Sequence, residues 1–181
     1  MIRRGYGYRM PPTRSPSSTT PTCAFPIAGA APNVVDRESE IVYYNAHIPL
    51  RNRWQLDDIP AADAAVIRHR FETSRKSAMA APFDMVQQMF CQDATEQAQL
   101  LLAELLTPQP GAYFIDALDV PRVAELGIPR RYILSDQDHA LFRPGAEFPA
   151  RIGLEPILVP GTHQGLLTHP DEVSRAILTQ R

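Results

Sequence analysis

The chain has 181 residues, 44% hydrophobic and 21% charged, with a net charge of -2. That is enough apolar material for the core of one domain, and it lacks the basic excess of a nucleic-acid binder. No apolar run approaches the roughly 18 residues of a spanning helix, so no membrane role is expected. Cys23 and Cys91 make neither a disulfide framework nor a paired-cysteine zinc site, and this usage suits a reducing, cytoplasmic setting.

Residues 1–35 stand apart. They hold Arg3, Arg4, Arg9 and Arg14, no acid, six prolines and a Ser/Thr cluster from Ser15 to Thr22. Proline removes backbone donors and the polar residues offer little to bury, so a disordered, basic, Pro/Ser-rich tail is expected. A secretory signal would need an apolar stretch that is missing here.

The globular pattern starts near Asp36 and runs to residue 181. Ile41 to Tyr44 form a continuous apolar run, as in a strand buried on both faces of a parallel sheet. A long stretch rich in helix formers follows. Within it, DATEQAQLLLAELLTPQP predicts a helix capped by Asp93 with Glu96 three residues on, an apolar stripe of Ala98, Leu101, Leu102 and Leu105, and a stop at Pro108. Arg131 to Leu134 predict a second strand, ending in acids, and LEPILVPG a third. PDEVSRAILTQR predicts a last helix with Pro170 in its first turn and Val173, Ile177 and Leu178 on one face.

Strands separated by helical segments imply an α/β architecture with parallel pairing and right-handed crossovers. Residues of about 50–125 are too many for one crossover and read as a helical cap above the sheet. Ligands of such sheets gather at the carboxyl ends of the strands. Asp136 and Asp138 follow the second strand and His163 follows the third. A carboxylate there can orient the imidazole and stabilise its charged form during proton transfer. Asp116 and Asp119 are rival acids. His47, His139 and His169 lack a recognised ligand spacing, so neither a metal nor another cofactor is expected.

Four segments together resemble the α/β-hydrolase superfamily, in its small esterase and hydroxynitrile-lyase-like branch: IVYYNAHIP, DATEQAQLLLAELLTPQP, IPRRYILSDQDHAL and VPGTHQGLLTHPDEVSRAIL. The similarity spans about residues 39–181. It implies that Asp138 is the triad acid, His163 the triad histidine, and the second segment part of the cap. The first segment usually ends in Asp-Ala in that family and here ends in Asn45-Ala46. The family's nucleophile sits in a Gly-x-Ser-x-Gly turn about 20 residues before that strand, and no such motif occurs in the chain. Ser18, Thr20, Thr22 and Cys23 are the side chains nearest the expected place.

The expectation is therefore a truncated or frame-disrupted α/β-hydrolase fold: a few parallel strands, flanking helices and a helical cap. Its implied activity is esterase-like hydrolysis of a small apolar ester, with the acid and histidine retained and no recognisable serine. The alternative is an inactive remnant that binds a small apolar ligand or a partner chain. An exposed sheet edge offers a route to a homo-oligomer. Met79, Phe83, Met85 and Phe90 are candidate pocket residues.

Overall fold

The computed structural model describes residues 22–23, 40–53, 55–74, 78–117, 125 and 127–179. The expected tail falls outside these residues except for Thr22 and Cys23, and Trp54 and Asp119 also lie outside them. The strands are β1 (Thr22–Cys23), β2 (Ile41–Tyr44), β3 (Ala78–Met79), β4 (Gln109–Pro110), β5 (Arg130–Ser135) and β6 (Ile157–Val159). Four of them form the main sheet in the order β1-β2-β5-β6, and every neighbouring pair is parallel. β3 and β4 make a small antiparallel pair. The helices are α1 (Ala61–Thr73), α2 (Phe83–Met85), α3 (Glu96–Leu105), α4 (Ala112–Ile115), α5 (Glu147–Ala150), α6 (Gly165–Thr168) and α7 (Pro170–Leu178). A 3-10 turn at Gln55–Asp58 and a π turn at Val86–Phe90 complete the helical insertion between β2 and β5.

The apolar run at residues 41–44 is buried throughout because both of its faces are covered. Ile41 and Tyr43 point into one core with Tyr132, Leu134, Phe148 and Ile152. Val42 and Tyr44 point into the other with Ile133, Val159 and Val173. Strand side chains alternate between faces, so one uninterrupted hydrophobic run supplies both layers. α7 lies over the second face, and α5 with the segment after it lies over the first. As expected, Pro170 opens α7. Val173 and Ile177 pack inward with Ala176, whereas Leu178 is exposed.

Arg131 joins this layer to the sheet. Its guanidinium makes two hydrogen bonds to the Glu40 carboxylate, at 2.7 and 2.8 Å. It also donates to the carbonyls of Ala176, Ile177 and Thr179 at 2.6–2.9 Å. These are among the carbonyls that a helix end leaves without partners, and a cation suits that end of the helix dipole.

α3 differs from the expectation in two ways. Its N-cap is Thr95, whose hydroxyl accepts from the Ala98 amide at 3.3 Å, and Asp93 is turned elsewhere. The expected stripe is also rotated: Leu101 and Leu105 are exposed, while Gln99 is buried and donates to the Cys91 carbonyl at 2.9 Å. The helix docks through a polar anchor that hydrophobic periodicity does not detect.

Candidate active site

The turns after β2, β5 and β6 meet at the carboxyl edge of the sheet. After β5 the chain turns back at once, with the Asp138 amide donating to the Ser135 carbonyl at 3.3 Å. Asp136 and Asp138, which strand order alone does not distinguish, separate here. Asp136 accepts from the Gly161 amide at 3.1 Å and so holds the turn after β6. Asp138 accepts from the Ala140 amide at 2.8 Å with one oxygen and pairs with Nδ1 of His163 at 2.9 Å through the other. The Asp138 side chain is 1% exposed and that of His163 is 21% exposed. The acid is sealed beneath, and the imidazole reaches the surface of the site. A carboxylate can only accept, so Nδ1 carries the proton of this bond, and in the neutral imidazole Nε2 is left with the lone pair.

The turn that delivers His163 depends on Gly161. Its φ is 110°, a region that side chains rarely adopt. A Cβ there would also lie 2.7 Å from Nδ1 of His169.

Asn45 ties the three strand ends together. It sits just past β2 with φ 42° and is almost fully buried. Its side-chain oxygen accepts from the Ser135 amide at 2.7 Å. Its nitrogen donates to the Ser135 hydroxyl at 2.9 Å and to the His163 carbonyl at 3.0 Å, with the Thr162 carbonyl at 3.4 Å. A carboxylate at this position could accept from the Ser135 amide and hydroxyl but could not bond the carbonyls of Thr162 and His163. The hydroxyl of Tyr44 lies 2.9 Å from that of Ser135, and burial pushes its acidity down by raising the pKa.

The helical insertion closes on the same turn from the other side. The Phe90 carbonyl, at the end of the π turn, accepts from the Gln164 amide at 2.8 Å and lies 3.0 Å from the Thr162 hydroxyl. The ring of Phe90 stands 5.5 Å from that of His163. Asp93 receives the hydroxyls of Thr162 and Thr168, each at 2.7 Å. Burial alone would raise the Asp93 pKa, but the Thr162 and Thr168 hydroxyls outweigh it and hold the carboxyl below its ordinary value.

Of the other candidates, His169 reaches this cluster through Asp93, and the rest stand apart from it. His47 is paired with Asp58 at 2.6 Å, and Asp58 takes both ends of the Arg151 guanidinium at 2.6 and 2.8 Å. His139 contacts Gln92, and His169 faces Asp93 at 3.3 Å. Asp116 is exposed on the insertion. Among the described residues no group of three or more His, Cys, Asp or Glu side chains could hold a metal ion.

β1 pairs with β2 on the side away from β5, with Cys23 in register with Val42. Val42 is three positions before Asn45, so at about 3.3 Å per residue Cys23 lies roughly 10 Å short of the strand ends. Asn45, Thr162 and the role of Asp93 had no recognised signature in the sequence. The exchange of Asp for Asn at position 45, relative to the expected Asp-Ala pair, was the one local clue.

The parallel sheet with its flanking helices matches solved structures of the α/β-hydrolase fold. An extracellular α/β-hydrolase from a Paenibacillus species, described as sharing structural and functional homology with tobacco salicylic acid binding protein 2, superposes with a TM-score of 0.74 at 22% identity, over 84% of this chain and 65% of that one. A pyrethroid hydrolase from Sphingobium faniae gives 0.60 at 17% identity over 83% and 64%. A methylesterase from Arabidopsis gives 0.56 at 14% identity over 83% and 65%. The chain thus carries the α/β-hydrolase fold and spans about two thirds of the length of these neighbours. No family model matches it, and no curated protein does. Among the described residues no helix is long and apolar enough to cross a membrane.

Proposed function

We propose that the site is built for hydrolysis of a small ester by a Ser-His-Asp type mechanism, with His163 as general base and Asp138 as the group that orients it. The observation carrying this reading is the 2.9 Å contact between His163 Nδ1 and Asp138 Oδ2 at the ends of adjacent parallel strands. With Nδ1 held by the acid, Nε2 takes the proton from a nucleophile and returns it to the leaving group, while Asp138 stabilises the imidazolium. The helical insertion acts as the cap, and Phe90 beside His163 supplies an apolar wall for the substrate. No residue is assigned as nucleophile. The register of β1 weighs against Thr22 and Cys23, whose backbone lies well short of the strand ends.

That register favours a second reading, in which the chain keeps the base and acid without turnover and binds a small apolar ligand or a partner chain. Pairing between copies through β6, an edge strand among the described residues with Leu158 exposed, belongs with it. A cytoplasmic setting is part of both readings and rests on cysteine usage alone.

Hydrolysis of p-nitrophenyl acetate by the full chain, compared with His163→Ala, separates the two. Hydrolysis that falls about a thousandfold in the variant supports the first reading. Equal rates in both proteins would overturn it. Labelling by a fluorophosphonate, mapped by mass spectrometry, would identify the nucleophile.

A further inference from the structure

Asp93 occupies a position that a helix cap does not explain. It lies two residues before the cap of α3 and turns away from that helix toward the turn after β6. We propose that Asp93 is a positioning residue for His163, holding the turn that carries the imidazole at the angle Asp138 requires. The proposal rests on the reading of His163 as the base.

A turn of this kind has no regular element of its own to fix it. His163 is followed by the short helix α6 and stands on no strand of its own, so its side-chain direction depends on how its neighbours are fixed. From the sheet side, Asn45 holds the carbonyl of His163 itself. From the insertion side, Asp93 receives Thr162, the residue before His163, and Thr168, the last residue of α6, through bonds of 2.7 Å each. One carboxylate therefore grips the turn on both sides of the imidazole. Nδ1 of His169 faces the same carboxylate at 3.3 Å and adds a third contact at the far end. Between them, the Gln164 amide donates to the Phe90 carbonyl at 2.8 Å.

The chemistry suits a rigid clasp. Hydroxyl bonds to an ionised carboxylate are about twice as strong as neutral ones. Thr162 is fully buried, so its side chain has little freedom once bonded. The insertion thus contributes the orientation of the base as well as a wall beside it. Asp93 makes no hydrogen bond or ion pair with Asp138 or the imidazole of His163, and its effect passes through the two threonines.

The test is the imidazole tautomer of His163 in the full chain, read from its 15N shifts at a pH where histidine is neutral. The resonances are assigned by their absence in His163→Gln. In the parent chain the Nδ1–H form should dominate, because Asp138 accepts that proton. In Asp93→Ala the minor Nε2–H fraction should rise about tenfold, the change that about 1.4 kcal/mol produces. Asp93→Asn keeps an acceptor for one hydroxyl and should lie between the two. An unchanged tautomer ratio in folded Asp93→Ala would overturn the proposal, even if the variant were less stable. Should Asp93→Ala not fold, Thr168→Val decides in its place: it removes one arm of the clasp, and an unchanged ratio there counts equally against the proposal. Because this measurement needs no turnover, a chain that fails to hydrolyse esters yet shows the tautomer shift would overturn the catalytic reading alone.

Discussion

The side-chain amide of Asn45 donates to the backbone carbonyl of His163, 3.0 Å away and 118 positions along the chain. The same side chain receives the Ser135 amide, so one buried residue sets the spacing of three strand ends. Its left-handed backbone, φ 42°, also favours asparagine. Asn45→Ala should cost about 2–4 kcal/mol, from buried groups left unpaired and from backbone strain. Asn45→Asp should cost a similar amount at neutral pH, since it buries a charge and removes both donors. Urea unfolding would measure both, and wild-type stability in either would contradict this account.

Gly161 gives an independent view of the same turn. Gly161→Ala places a methyl 2.7 Å from His169 Nδ1 at a φ of 110°. A loss of about 1–3 kcal/mol is expected, together with altered chemical shifts for His163 and His169. A variant with unperturbed shifts would show that the turn tolerates the side chain.

Arg131 should matter for the seam between β5 and α7. Arg131→Met keeps most of the volume and removes the bonds to Glu40 and to three carbonyls at the end of α7. The expected loss is about 2–4 kcal/mol, with amide exchange in the last turn of α7 rising first. Adding Glu40→Gln should recover part of it, because the acid is then no longer left as an unpaired charge.

Acid sensitivity should arrive in two stages. Burial lowers the pKa of His47, against the opposing pull of Asp58, so the fold prefers the neutral imidazole. A depressed folded pKa contributes stability that is present above the unfolded value, about 6.5, and is lost as pH falls toward the folded one. Asp58 and Asp93 are both depressed as well. Burial pushes each up, but the Arg151 and His47 contacts on one, and the threonine hydroxyls on the other, outweigh it. Their contribution is present above the unfolded value of about 4 and is lost below it. Unfolding free energy measured from pH 8 to pH 3 should therefore begin to fall below about 6.5. His47→Gln should remove that first stage and leave the second.

β2, β5 and β6 were legible because one physical rule decides them, whereas β1, β3 and β4 are two residues each and show no such run, β1 falling within the expected tail. A run such as Ile41–Tyr44, apolar at every position, satisfies a sheet covered on both faces, and the structure places it there. The order of strands and helical segments likewise carried the parallel sheet, and β2 and β5 pair in parallel as expected. α3 was legible as a helix but not in its orientation, since Gln99 rather than the leucine stripe makes its buried anchor.

The sequence by itself determined the parallel α/β architecture, the positions of β2, β5 and β6 and the proximity of an acid to His163, because these follow from local periodicity and from the common direction of parallel strands. Strand order alone left Asp136 and Asp138 equivalent, the family resemblance singled out Asp138, and helix-capping rules made Asp93 a cap. Only the tertiary structure assigned Asp136 to Gly161 and Asp93 to Thr162 and Thr168, and set the contact of Asp138 with His163 at 2.9 Å. Those choices depend on which donors the fold brings within 3 Å or so of each carboxylate, and donors separated by 25 to 75 positions leave no periodic trace in the chain.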